Sequence, residues 1–142
     1  MKLASETSLW PRGHTKAFKG KADLRRRLRD VEQQLRVLNR GMRQLKDQTR
    51  QVRGRFALET CVKHRRESLS LRWRYRLGWN ATWERDVEPA LAMFPVELQR
   101  WYRQVNGTAA IMNVRERCLR YERAALTKLL AQLREQPGNR DT

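Results

Sequence analysis

The sequence predicts an α+β fold, mostly α, and three patterns carry that prediction. Between Lys21 and Arg53 apolar residues recur at alternating intervals of four and three, the period of a helix packed lengthwise on another helix. Between Ser68 and Trp79 the period drops to two, which is the period of a strand. After Thr108 a broad apolar face returns to helical spacing. At 142 residues the chain can bury one ordinary core without disulfides or metals, so a single domain over 21–135 is expected.

Residues 1–20 carry Pro11, Gly13 and Gly20 and show no period, so they read as a flexible arm that Trp10 and Phe18 can pin to the body. Helix 21–53 follows. Its seam is Leu24, Leu28, Val31, Leu35, Leu38, Met42, Leu45, Thr49 and Val52, with Thr49 the only polar member. Gly41 weakens this helix by up to about 1 kcal/mol, which the seam absorbs. The outward faces carry Arg25, Arg26, Arg29, Arg36, Arg40, Arg43 and Arg50 against only Asp30, Glu32 and Asp47. An ordinary solvated face mixes its signs more evenly.

The alternating stretch SLSLRWRYRLGW puts Leu69, Leu71, Trp73, Tyr75, Leu77 and Trp79 at odd positions and Arg72, Arg74 and Arg76 between them. As a helix the odd positions would scatter; as a strand they share one face. A lone strand leaves its backbone groups unpaired, so it needs a neighbour. The segment Arg55–Lys63 supplies one, with Phe56, Leu58, Thr60 and Val62 in alternation, and His64-Arg65-Arg66-Glu67 closes a hairpin over 55–77. Such a hairpin has one apolar face, which must pack on helices, and a basic tip formed by Lys63, Arg65 and Arg66. Arg72, Arg74 and Arg76 then stand in a row on the outer face, roughly 6.7 Å apart. Three readings of that row stay open: a comb for phosphates, charge that protects an exposed strand, or ion pairing with acids of the C-terminal half. Trp73 and Tyr75 face the other way and read as core.

Asn80 can cap a helix over 81–94 with Trp83, Val87, Leu91 and Phe94 inward, which Pro89 kinks or divides. Pro95 suits the first turn of a helix over 95–105, with Leu98, Trp101, Tyr102 and Val105 inward. Asn106-Gly107 marks a turn. The last helix, 108–135, places Ile111, Val114, Cys118, Tyr121, Ala125 and Leu129 inward, with a second row of Met112, Leu119, Leu126 and Leu133. Residues 136–142 form a flexible tail.

The formal charge of +17 is the outlying bulk property. Residues 12–76 hold 21 Lys and Arg against 6 Asp and Glu, whereas residues 77–142 hold 10 against 8. A compact protein this basic repels itself, so a polyanionic partner is expected on the N-terminal half. No apolar run reaches the length of a signal peptide or a membrane span, which predicts a cytoplasmic chain that binds no membrane. Cys61 and Cys118 form no CxxC and have no histidine at ligand spacing, so no metal site is expected. Glu84, Asp86 and Glu88 are the one carboxylate cluster; near a helix N-terminus the dipole alone favours them. No phosphate-binding glycine loop or nucleophile motif occurs. The chain is therefore read as no enzyme, with no cofactor and no small-molecule ligand.

FKGKADL (18–24), FALET (56–60) and SLSLRWR (68–74) together resemble a family of small uncharacterised proteins encoded on integrative conjugative elements of Gram-negative bacteria. The resemblance implies a cytoplasmic accessory protein of a mobile element, encoded among partition, single-strand-binding and replication genes. It implies no catalytic residues.

Charge and pattern thus predict a non-catalytic nucleic-acid-binding protein, contacting phosphates through Arg25, Arg26, Arg29, Arg36, Arg40 and Arg43 on the helix and through Lys63, Arg65, Arg66, Arg72, Arg74 and Arg76 on the hairpin; that the nucleic acid is DNA is what the resemblance implies. The alternative is an assembly protein whose Leu24–Val52 seam pairs, in coiled-coil fashion, with a second copy or another element-encoded protein.

Overall fold

The computed structural model describes residues 20–52, 54–62 and 68–135. The arm 1–19, the hairpin tip with Lys63, Arg65 and Arg66, and the tail 136–142 lie outside the described residues. The fold is mostly helical: α1 (Lys21–Gln51), β1 (Phe56–Val62), β2 (Leu69–Tyr75), a run of single turns over 83–93, and α2 (Val96–Glu135). Among the described residues, no helix is long and apolar enough to cross a membrane.

The sequence predicts one domain; the contacts gather in two compact units. The smaller holds α1 up to Gln33 and α2 from Tyr121 on; the larger is Gln34–Arg120. In the smaller unit Leu24, Val31 and Leu126 are buried. There the Arg27 guanidinium grips the Glu122 carboxylate through two bonds of 2.7 and 2.9 Å, tying the two helices together.

In the larger unit the seam residues Leu35, Met42 and Thr49 are buried, with Leu38 and Leu45 packed against the same core. Met42 lies in a cluster with Phe56 and Leu58 of β1, Leu69, Leu71 and Trp73 of β2, and Tyr102, Val105 and Ala109 of α2. The heptad of α1 therefore finds its mate inside the chain. β1 and β2 pair antiparallel, Phe56 opposite Tyr75 and Val62 opposite Leu69. The alternation predicted from sequence holds from Leu69 to Tyr75 and then stops. Leu77 and Trp79, expected on the inner face, are exposed. The cause is a tight reversal after Tyr75: Gly78 adopts φ +108°, the left-handed region open to glycine, and the Tyr75 amide donates to the Trp79 carbonyl at 2.8 Å. Asn80 then pairs back against Arg74, so it extends the strand edge instead of capping a helix.

Thr82 takes the cap instead, its hydroxyl accepting from the Arg85 amide at 3.3 Å. The predicted helix 81–94 is a π turn (Trp83–Val87), one α turn (Glu88–Ala90) and one 3-10 turn (Leu91–Met93), divided near Pro89. Val87 and Leu91 are buried as the spacing requires.

The turn predicted at Asn106-Gly107 is absent: α2 runs unbroken for 40 residues. Packing overrides the weak local signal, and the Asn106 side chain is engaged by the hairpin (below). Of the two rows expected inward, the second holds at Leu119 and Leu126, which are buried. The first does not: Ile111, Val114, Cys118, Tyr121, Ala125 and Leu129 are exposed. The buried positions within the larger unit are Tyr102, Val105, Ala109, Glu116 and Leu119, a heptad that one carboxylate interrupts. Close approach is built in at Gly54, where a Cβ would collide with the Tyr102 hydroxyl.

Candidate nucleic-acid interface

Side chains close both edges of the hairpin, except at the end of β2, where the returning chain at Trp79–Ala81 pairs with Trp73 and Tyr75 through its backbone. On the β1 edge the Leu58 amide donates to Thr49 Oγ1 at 2.9 Å, and the Tyr102 hydroxyl donates to the Phe56 carbonyl at 3.1 Å. On the β2 edge the Leu69 amide donates to Glu116 Oε2 at 3.1 Å. The Asn113 amide there imitates a neighbouring strand, accepting from the Leu71 amide at 2.8 Å and donating to its carbonyl at 3.1 Å. Closed edges remove the tendency of a bare hairpin to pair with other chains. They also hold its outer face in a fixed relation to α1.

That outer face carries Ala57, Glu59 and Cys61 of β1 opposite Arg74, Arg72 and Ser70 of β2. Arg72 and Arg74 are exposed, and neither has a side-chain partner among the described residues. Glu59 lies between the hairpin and α1, bound by Lys46 at 3.0 Å and Arg50 at 2.5 Å. Burial alone would push the Glu59 carboxyl up. The Lys46 hydrogen bond, the charges of Lys46 and Arg50 and the Thr60 amide outweigh it and hold the carboxyl below its ordinary value. The one acid of this face is thus already neutralised. Because Lys46 and Arg50 reach it, the basic side of α1 and the outer face of the hairpin form one continuous surface. Arg36, Arg40 and Arg43 lie on exposed positions of the same helix, beside Asp47.

Arg76 is drawn out of the predicted row. It follows the end of β2, and its guanidinium donates to the carbonyls of Arg50, at 2.6 Å, and Val52. A cation on the last carbonyls of a helix satisfies orphan acceptors and favours the dipole. Arg76 therefore secures the hairpin to the end of α1, and the comb has two teeth. Beside Arg74, a groove of about 390 Å³ is lined by Arg50, Glu59, Arg74, Tyr75 and Arg76.

In the smaller unit Arg25, Arg26 and Arg29 are exposed, and Arg26 pairs with Asp23 at 3.1 Å. Of the carboxylates singled out from sequence, Glu84 and Glu88 are exposed. Asp86 is a structural anchor, accepting from the Tyr75 hydroxyl at 3.0 Å and the Thr82 amide at 2.8 Å. Its carboxyl is held below the usual range, first by the Arg85 hydrogen bond and then by the Thr82 amide. Among the described residues no group of three His, Cys, Asp or Glu side chains could hold a metal ion.

Sequence reasoning did not single out a second depression, about 430 Å³, along the β2 edge between Asn80–Trp83 and α2. Its walls come from separate segments, 71–73, 80–83 and 106–113, that meet only through the fold.

Comparison with known families, curated proteins and solved structures finds no match. The resemblance described above rests on residues 18–24, 56–60 and 68–74 alone.

Proposed function

We propose that this chain is a non-catalytic nucleic-acid-binding protein that holds the phosphate backbone on the surface shared by α1 and the hairpin. The observation that carries this reading is the pair Arg72 and Arg74. They are exposed and unpaired among the described residues, and they stand on a hairpin braced at both edges, continuous with Arg43 and Arg50 of α1. Guanidiniums fixed on a rigid strand meet phosphate oxygens with less ordering cost than side chains on a mobile loop. Phosphate contacts supply affinity without sequence readout, so weak specificity is expected. The alternative, assembly through the Leu24–Val52 seam, is the less favoured reading, because Leu24, Val31, Leu35, Met42 and Thr49 of that seam are buried. An accessory role on a mobile element fits the resemblance; the charge argument stands without it.

The test is fluorescence anisotropy with labelled single- and double-stranded DNA of mixed sequence, from roughly 50 to 300 mM salt. The wild type is compared with Arg43→Ala/Arg72→Ala/Arg74→Ala, three exposed positions whose loss leaves the melting curve in place. Each lost phosphate contact lowers the salt slope by roughly 0.7 to 0.9. A variant that binds more weakly and with a shallower slope supports the reading. Equal binding by both proteins, fading together as salt rises, reduces the charge to a nonspecific field and refutes it.

A further inference from the structure

We infer that the cleft along the β2 edge takes an unpaired nucleobase, and that the chain's polyanion is therefore single-stranded nucleic acid. This deepens the phosphate reading above and rests on it. The cleft combines three features that one ligand class satisfies together.

The first is an aromatic wall. Trp73 and Trp83 lie with ring centroids 5.9 Å apart at 35°. The Trp73 ring is held in place, its Nε1 donating to Asn106 Oδ1 at 2.9 Å. Opposite, the small side chains of Ala109 and Ala110 leave the space open.

The second is neutral polar groups without acids. The bond from Trp73 occupies the oxygen of Asn106 and leaves its Nδ2 hydrogens for a further acceptor. Asn80 brings a second amide and Thr82 a hydroxyl. No carboxylate lines the cleft, so nothing there would favour an amine or a metal ion. A heteroaromatic ring with acceptor edges is matched in shape and in hydrogen bonding.

The third is one cation at the mouth. Arg72 borders the cleft and also belongs to the exposed arginine pair of the hairpin's outer face. A backbone phosphate on Arg72 thus brings its own base to the cleft. A base within a duplex presents only its edge to a groove, whereas an unpaired base can be turned out and stacked.

The experiment uses the full chain and two labelled single-stranded probes of equal length, one of mixed sequence and one an abasic backbone with the same phosphates. Ala110→Phe fills the cleft from an exposed helical position and removes no hydrogen bond. Asn80→Ala trims the wall without filling it. The wild type is expected to prefer the base-bearing strand by roughly tenfold, the scale of one stacked base. Ala110→Phe abolishes that preference and leaves abasic affinity unchanged, and Asn80→Ala narrows it. Equal binding of both probes by the wild type overturns the inference and spares the phosphate reading. A preference that survives both substitutions also overturns it. Failure of both probes to bind near physiological salt sinks the phosphate reading, and this inference with it.

Discussion

The two long helices solve the same problem at opposite edges of the hairpin, and they solve it differently. Each interrupts its buried seam with one polar residue in the larger unit, Thr49 on α1 and Glu116 on α2, and each of these side chains accepts an edge amide of the hairpin. Thr49 does so as a neutral group whose hydroxyl proton returns to its own helix, donating to the Lys46 carbonyl at 2.7 Å. Glu116 does so as a carboxylate that is 1% exposed and is held by Arg120 one turn on, at 2.5 Å. A buried hydroxyl satisfied by backbone leaves a seam recognisable as a seam. A buried charge needs a second charge, and the pair hides the seam. The difference teaches that a polar residue inside a heptad can mark where a helix terminates a sheet.

Removing Glu116 should break the comparison most severely. Glu116→Ala leaves the Leu69 amide without its acceptor and takes one carboxylate from Arg120. A buried donor left unsatisfied costs about 1 to 3 kcal/mol, and the lost buried side chain and ion pair add to it. Glu116→Gln keeps an acceptor for Leu69 and gives up only the charge, so it should fall well short of that loss. Urea unfolding of the three proteins checks the order. Equal stability of Glu116→Ala and wild type would show that Asn113 and the returning chain at Trp79–Ala81 hold the β2 edge without it.

Thr49→Val keeps the shape of the side chain and removes the hydroxyl. The Leu58 amide then stays buried without an acceptor, at a cost of about 1 to 3 kcal/mol. Thr49→Ser retains the bond and loses one methyl group, about 1 kcal/mol. The same denaturation series ranks them, with serine expected to be the milder change. The reverse order would mean that packing, not the edge bond, fixes α1 against β1.

How legible these features were follows from the same contrast. The α1 seam is readable because Thr49 is its only lapse, and the hairpin is readable because a period of two excludes a helix. The α2 seam is only partly readable: Tyr102, Val105, Leu119 and Leu126 are expected inward and are buried, but Glu116 sits among them and a row without charges, from Ile111 to Leu129, lies beside it. Periodicity ranks rows by apolarity, whereas the fold chose the row whose acid and whose neighbour Asn113 could close β2. Arg76 and the pair Leu77 and Trp79 were misplaced for a related reason, since the reversal at Gly78 ends the strand while the alternation runs on. Of the candidate interface, the charges were plain in the sequence. The contact of Lys46 and Arg50 with Glu59, and the cleft beside Trp73, depend on segments far apart in the chain.

The smallest expected effect sharpens the comparison furthest, because it separates pattern from packing on α2 itself. Ile111 and Val114 are 64% and 49% exposed, and Leu119 is 9% exposed. Ile111→Ser and Val114→Ser should each change stability by about 0.5 kcal/mol or less, as for surface positions generally. Leu119→Ala should cost about 2 to 4 kcal/mol, the range for a buried leucine. If the row from Ile111 were buried as the pattern predicts, Ile111→Ser would cost as much as Leu119→Ala or more. Thermal melts of the three variants decide between these outcomes. The expected ranking would mean that α2 turns its buried acid inward and leaves its cleanest apolar row to solvent, an orientation that gives the Leu69 amide its acceptor.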